Sequence, residues 1–130
     1  MTDKEQRHPD IEIYVKDRSV EEISTWLEAI CDTLESEFTQ GQVHHYIGAL
    51  NGIRIPVMIH EKVSGKAWTS VWFNSDKSPW AKDLDCAIQA ANSLHTQVRC
   101  IASGWNTGDD PDEWWKVSSD GQTEKFQWRT

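Results

Sequence analysis

Hydrophobic and polar positions along this chain follow two periods, and the clearest stretch begins at Val43. Val43 to Leu50 and Ile53 to His60 are apolar-rich runs separated by Asn51-Gly52. Asn-Gly suits the two positive-φ positions of a type I′ turn, whose twist matches that of the flanking strands, so a tight hairpin is predicted. The register follows, with Leu50 opposite Ile53, Gly48 opposite Ile55, Tyr46 opposite Val57 and His44 opposite Ile59. That face is nearly all apolar and calls for helices above it. The other face, with His45, Ile47, Arg54, Pro56, Met58 and His60, is mixed. Pro56 has no N–H to offer a third strand, which predicts a bulge or a local edge there.

Upstream, Ile11 to Val15 alternates apolar and polar residues like a half-buried strand. Ser19 and Glu22 form a capping box, which predicts a helix whose apolar stripe runs through Val20, Ile23, Trp26, Leu27, Ile30, Leu34 and Phe38. Downstream, Ala67 to Phe73 reads as a strand with Trp68 and Trp72 on one face and Val71 and Phe73 on the other. Ser78-Pro79 predicts the start of a second helix, with Trp80, Leu84, Ala87, Ile88, Ala91 and Leu94 turned inward and Cys86 outward. Gln97 to Ser103 reads as a strand, and Trp114 to Trp128 as a hairpin about Asp120-Gly121. A two-residue turn there would set Lys116 against Lys125, which a longer loop from Ser118 to Gly121 avoids.

The resulting order, β-α-β-β-β-α-β plus a C-terminal hairpin, predicts an α+β fold, a two-layer sandwich of a mainly antiparallel sheet with two principal helices on one face. Residues 1–9 are polar and read as a flexible tail, leaving one domain over 10–130. From Ser19 to Leu94 the order helix, three strands, helix resembles that of double-stranded-RNA-binding domains and is similar to that of small acidic secretion chaperones. That likeness is one of element order alone.

Charge separates these two comparisons. The formal net charge is −8 and the pI near 5.0, so a phosphate backbone or an anionic membrane is repelled by the average field. No nucleic acid or membrane partner is therefore expected. Neither a secretory apolar segment nor a run of membrane-spanning length occurs, and the odd number of cysteines, Cys31, Cys86 and Cys100, argues against a disulfide framework. A reducing, cytoplasmic setting is the expectation.

No phosphate-binding glycine loop, nucleophile elbow or zinc-protease helix motif is present, which points away from common enzyme chemistry. His45 and His60 are diagonal neighbours in the predicted register, but a third metal ligand is missing, so neither metal nor cofactor is expected. Cys86 lies beside Asp85 and near Asp83, carboxylates that disfavour a thiolate.

Two features suggest binding. Glu21, Glu22, Glu28, Asp32 and Glu35 line the polar face of the first predicted helix, with no Lys or Arg between Arg18 and Arg54. The chain also has eight tryptophans, of which Trp105, Trp114, Trp115 and Trp128 gather near the acidic run that includes Asp109 and Asp110. Tryptophan buries a large area with few rotors and favours interaction hot spots, although lid packing over the core is the simpler account of such a cluster. The leading expectation is a non-catalytic adaptor, chaperone or inhibitor that meets a protein of basic or apolar surface, with a homodimer through a strand edge compatible. The alternative is a small-molecule or enzymatic pocket beside the tryptophan-rich segment.

Overall fold

The computed structural model of the chain describes residues 8–102 and 112–128. In chain order the elements are β1 (Ile11–Lys16), α1 (Val20–Ile30), β2 (Thr33–Gln40), β3 (Val43–Leu50), β4 (Ile53–His60), β5 (Trp68–Phe73), α2 (Asp83–Leu94), β6 (Val98–Ile101), β7 (Glu113–Val117) and β8 (Thr123–Gln127). The strands form one eight-stranded sheet in the order β2-β3-β4-β5-β1-β6-β7-β8, with every neighbouring pair antiparallel. This is an α+β fold with both helices packed on one face.

The hairpin at Asn51-Gly52 has the predicted register throughout, and both turn residues have positive φ, 54° and 80°. Pairing of β4 with β5 begins only at Val57 opposite Phe73, so Pro56 sits where the ladder stops. Ile55, Val57 and Ile59 are buried, whereas Ile53, at the end of the hairpin, is 41% exposed. The second hairpin takes the longer loop, which places Lys116 opposite Glu124 and gives an ion pair at 3.6 Å.

Two helix boundaries differ from expectation. The first helix does not run to Phe38 but ends at Ile30, and Thr33–Gln40 is a further strand, so four strands separate the helices rather than three. The apolar spacing Leu34 to Phe38 fits either period, but Gly41, at φ 63°, begins a two-residue loop that folds β2 onto β3. A bulge between Ser36 and Phe38 then turns Phe38 to the opposite face from Leu34, where it stacks on His45 at 4.1 Å. The second helix starts at Asp83, because residues 78–82 instead deliver Trp80 into the core against Trp26 and Phe73, at 6.0 and 5.0 Å. The Trp80 and Trp72 indole N–H groups donate to Gln89 and Asp10, while that of Trp26 is buried with no partner among the described residues.

The inward stripe of α2 is Asp83, Cys86, Ala87, Ala90, Ala91 and Leu94, so Cys86 faces the core and not solvent, and Ile88 is 37% exposed. Small side chains let the helix approach the sheet closely, which favours this rotation over one that buries Ile88. Arg18 ties the helix down by donating to the carbonyls of Leu94 and His95 at 2.8 and 2.9 Å, satisfying groups left open at a helix end. The core between the layers is Ile11, Ile13 and Val15 of β1 with Ile23, Leu27, Ile59, Val71, Val98 and Val117, each almost inaccessible and worth ~1.5–3 kcal/mol by burial.

Gly48 is buried in β3 because a side chain there would meet the Cys31 thiol, with an added Cβ only 2.9 Å from Sγ. Gly48→Ala should therefore lower stability by about 1–3 kcal/mol, the usual cost of overpacking. Combining it with Cys31→Ala should recover most of that loss in a urea-denaturation double-mutant cycle. Equal destabilisation in both backgrounds would rule out the thiol contact as the cause.

Candidate functional site

Alternation along the strands sends one set of side chains to the helices and the other to a sheet face that carries no helix among the described residues. On that open face β1 contributes Tyr14, β5 Trp68, β6 Arg99, β7 Trp114 and β8 Phe126, joined by Trp128 just beyond β8. The Trp128 N–H donates to the Asp112 carbonyl at 2.9 Å, which pins this last ring to the sheet. Tyr14 meets Trp114 and Trp128 edge-to-face at 5.2 and 5.6 Å, Trp114 meets Trp128 at 4.8 Å, and Trp128 meets Trp68 at 5.2 Å. Such ring pairs add ~0.5–1.5 kcal/mol each beyond area burial.

Arg99 lies among these rings. Its guanidinium carbon is 4.3 Å from the Trp68 ring, 4.4 Å from Trp128 and 4.7 Å from Phe126. The Arg99 Nε donates to Gln97 Oε1 at 2.9 Å, and no carboxylate among the described residues forms an ion pair with Arg99. Burial by the rings lowers the affinity of the guanidinium for its proton, and burial followed by the Glu12 charge raises the Tyr14 phenol.

Farther along the same sheet, the residues lining a cleft of about 250 Å³ include Glu37, His45, Pro56, Met58, Trp72 and Asn74. It opens where β5 ends and β4 continues paired only with β3, with Pro56 among its lining residues. It does not adjoin Trp115, where the sequence suggested a pocket.

The tryptophans grouped by sequence are divided by the sheet. Trp114 and Trp128 join the open-face cluster, while Trp115 points the other way and packs against the core. Adjacent strand residues cannot share a face, so Trp114 and Trp115 cannot form one patch. Trp105, Asp109 and Asp110 lie outside the described residues. The acidic set is also redistributed. Glu28 is exposed on α1, but Asp32 follows the helix and accepts from the Asn51 N–H at 2.9 Å, and Glu35 is exposed on β2. The predicted continuous acidic helix face therefore does not exist beyond Ile30, although Glu21, Glu22 and Glu28 remain exposed on α1.

His45 and His60 share a face as expected, but among the described residues no group of three or more His, Cys, Asp or Glu side chains is placed to hold a metal. His44 instead links Thr39 at 3.0 Å and Glu61 at 2.6 Å across the β2–β3 end of the sheet. Cys86 and Cys100 are fully buried, and burial first, then the charges of neighbouring carboxylates, push both thiols up, so neither supplies a thiolate at neutral pH.

Arg99, Tyr14, Trp68 and Phe126 were not legible as a site. Each has open-face parity on its own strand, but only the order β5-β1-β6-β7-β8 brings them together, and β1 meets β5 and β6 across long stretches of chain. No family model, curated protein or solved structure matches the chain. No helix among the described residues is long and apolar enough to cross a membrane.

At the N-terminus of α2, Asp83 is buried beside His8, whose Nδ1 lies 3.2 Å from its carboxylate. Burial pushes Asp83 up to about 6, opposed by the hydrogen bond and charge of His8. A carboxyl whose folded value lies above its unfolded one binds its proton more tightly in the native state, so stability falls as pH rises from about 4 through about 6 and then levels. Asp83→Asn should flatten that window and leave the protein more stable than wild type at pH 7.5, by on the order of 1–3 kcal/mol. Urea midpoints measured between pH 4.5 and 8 test this, and an unchanged pH slope in the variant would exclude Asp83 as its source.

Proposed function

We propose that this chain is a non-catalytic protein-binding module, of the adaptor, chaperone or inhibitor kind, that meets its partner through the open aromatic face of its sheet. The observation that supports this reading is the cluster of Tyr14, Trp68, Trp114, Phe126 and Trp128 around Arg99 on the face that carries no helix. Tryptophan, tyrosine and arginine are the residues that carry most binding energy at protein interfaces. Their rings are already held in place by one another, so little side-chain entropy is lost on docking. Of the originally grouped tryptophans, Trp114 and Trp128 belong to this surface, whereas Trp115 supports the core.

The exposed carboxylates Glu21, Glu22 and Glu28 lie on the helical layer, away from these rings, and contribute through long-range attraction of a basic partner. A second reading, a small-molecule site, is favoured by the cleft between His45, Met58 and Trp72, which would take a compact, largely apolar ligand.

Affinity capture from a cell extract with wild type, Trp114→Ala/Phe126→Ala and Glu21→Gln/Glu28→Gln separates these surfaces, with folding of each variant checked by circular dichroism. The open-face variant should lose a partner held by wild type at moderate salt, by about tenfold or more in affinity, as expected for hot-spot truncation. The α1 variant should change mainly the salt dependence. Partner retention by a folded Trp114→Ala/Phe126→Ala protein would remove the open face from the function.

A further inference from the structure

We infer that the open face recognises a carboxylate-bearing apolar segment of another protein, with Arg99 as the residue that selects the acid. This rests on the reading of that face as the docking surface and adds the chemistry of what docks.

Arg99 is unusual for a half-buried arginine. Its Nε is fixed by Gln97, its plane is covered by Trp68, Phe126 and Trp128, and its terminal nitrogens have no carboxylate among the described residues. A guanidinium that only filled space between rings would not need its terminal N–H groups left open. Those groups form a planar fork suited to two parallel hydrogen bonds with a carboxylate. The apolar walls lower the local dielectric, which strengthens such a pair once water is excluded.

Neighbouring charges agree with an acidic occupant. Lys116 lies directly across from Arg99 on β7, and Lys16 on β1 has the same face parity. Lys116 is shared with Glu124 at 3.6 Å, and Glu12 lies on this face beyond Tyr14, as the carboxylate that opposes these cations from β1. The exposed residues of α1, by contrast, include Glu21, Glu22 and Glu28. This part of the open face thus sets Arg99, Lys16 and Lys116 against Glu12 and Glu124, in a chain whose formal charge is −8. The rings fix what surrounds the acid. Trp68 is buried and Tyr14, Trp114, Phe126 and Trp128 are half-buried, and the accessible parts of these four rings favour apolar or aromatic side chains on either side of it.

Aromatic rings with arginine also hold single-stranded nucleic acid, but that mode tracks a backbone with a continuous basic groove. Here the cations are few and the overall field is repulsive to phosphate. A protein segment is the occupant favoured.

Panning the intact protein against a random-peptide library tests the inference. Selected peptides should share an Asp or Glu flanked by apolar residues and should bind in competition with one another at the open face. Replacing that acid by its amide should weaken binding to wild type by about tenfold or more, the loss expected for a charge-assisted fork. The same replacement should have little effect on a folded Arg99→Gln protein, and Arg99→Lys should retain only part of the preference. A purely structural Arg99 would give equal losses with acid and amide peptides, which overturns the inference.

Peptides lacking any acid but dependent on Trp114 and Phe126 would overturn this inference while leaving the docking face intact. Failure to select any peptide sensitive to Trp114→Ala/Phe126→Ala would overturn both. Tighter, Arg99-dependent binding of an oligo(dT) probe would show that the occupant is nucleic acid instead.

Discussion

Strict alternation along β1 divides this molecule into its two halves. Ile11, Ile13 and Val15 have almost no accessible surface and lie beneath the helices, while Glu12, Tyr14 and Lys16 between them belong to the opposite face. A shift of one residue would bring Glu12 and Lys16 into the core and expose the isoleucines, at a cost far above the net stability of a small domain. Because β1 joins β5 to β6, its phase sets that of the whole sheet. The helices, the apolar core and the aromatic cluster all take their sides from it.

The two faces stabilise the fold by different means. Under the helices, the small residues of α2 and the branched residues of the strands give a close-packed layer in which even Gly48 is required for fit. On the open face, flat rings and a guanidinium lie against one another, with no helix above them among the described residues. Such an arrangement is stable when only partly dry, because ring contacts tolerate solvent at their edges.

Local signals were legible in the chain wherever neighbouring residues decide the conformation. Asn51-Gly52, the Ser19 and Glu22 capping box and the like-charge conflict of Lys116 with Lys125 each led to the observed geometry. Signals failed where two periods agree on the same residues. Leu34 and Phe38 suit a helix as well as a strand, and only Gly41 distinguishes them by permitting a turn. On α2, hydrophobicity alone ranks Ile88 above Cys86 for burial, yet closeness to the sheet favours the smaller residue. The candidate site was least legible of all, since Arg99, Trp68 and Tyr14 meet only through long-range pairing and Trp114 parts from Trp115 through strand geometry.

The position of β1 also bears on how the chain reaches this state. β2 to β5 form a meander whose strands pair with their neighbours in sequence, and β6 to β8 form a second one. Neither includes β1, which is made first and bonds to the final strand of one meander and the opening strand of the other. Loop-closure entropy sets back such distant pairings, so the two meanders can gather early while the strand between them waits. During synthesis on a ribosome, β1 must therefore wait for β5 before it can pair on one side and for β6 before it can pair on the other, and until β6 appears the growing sheet has an unpaired interior edge.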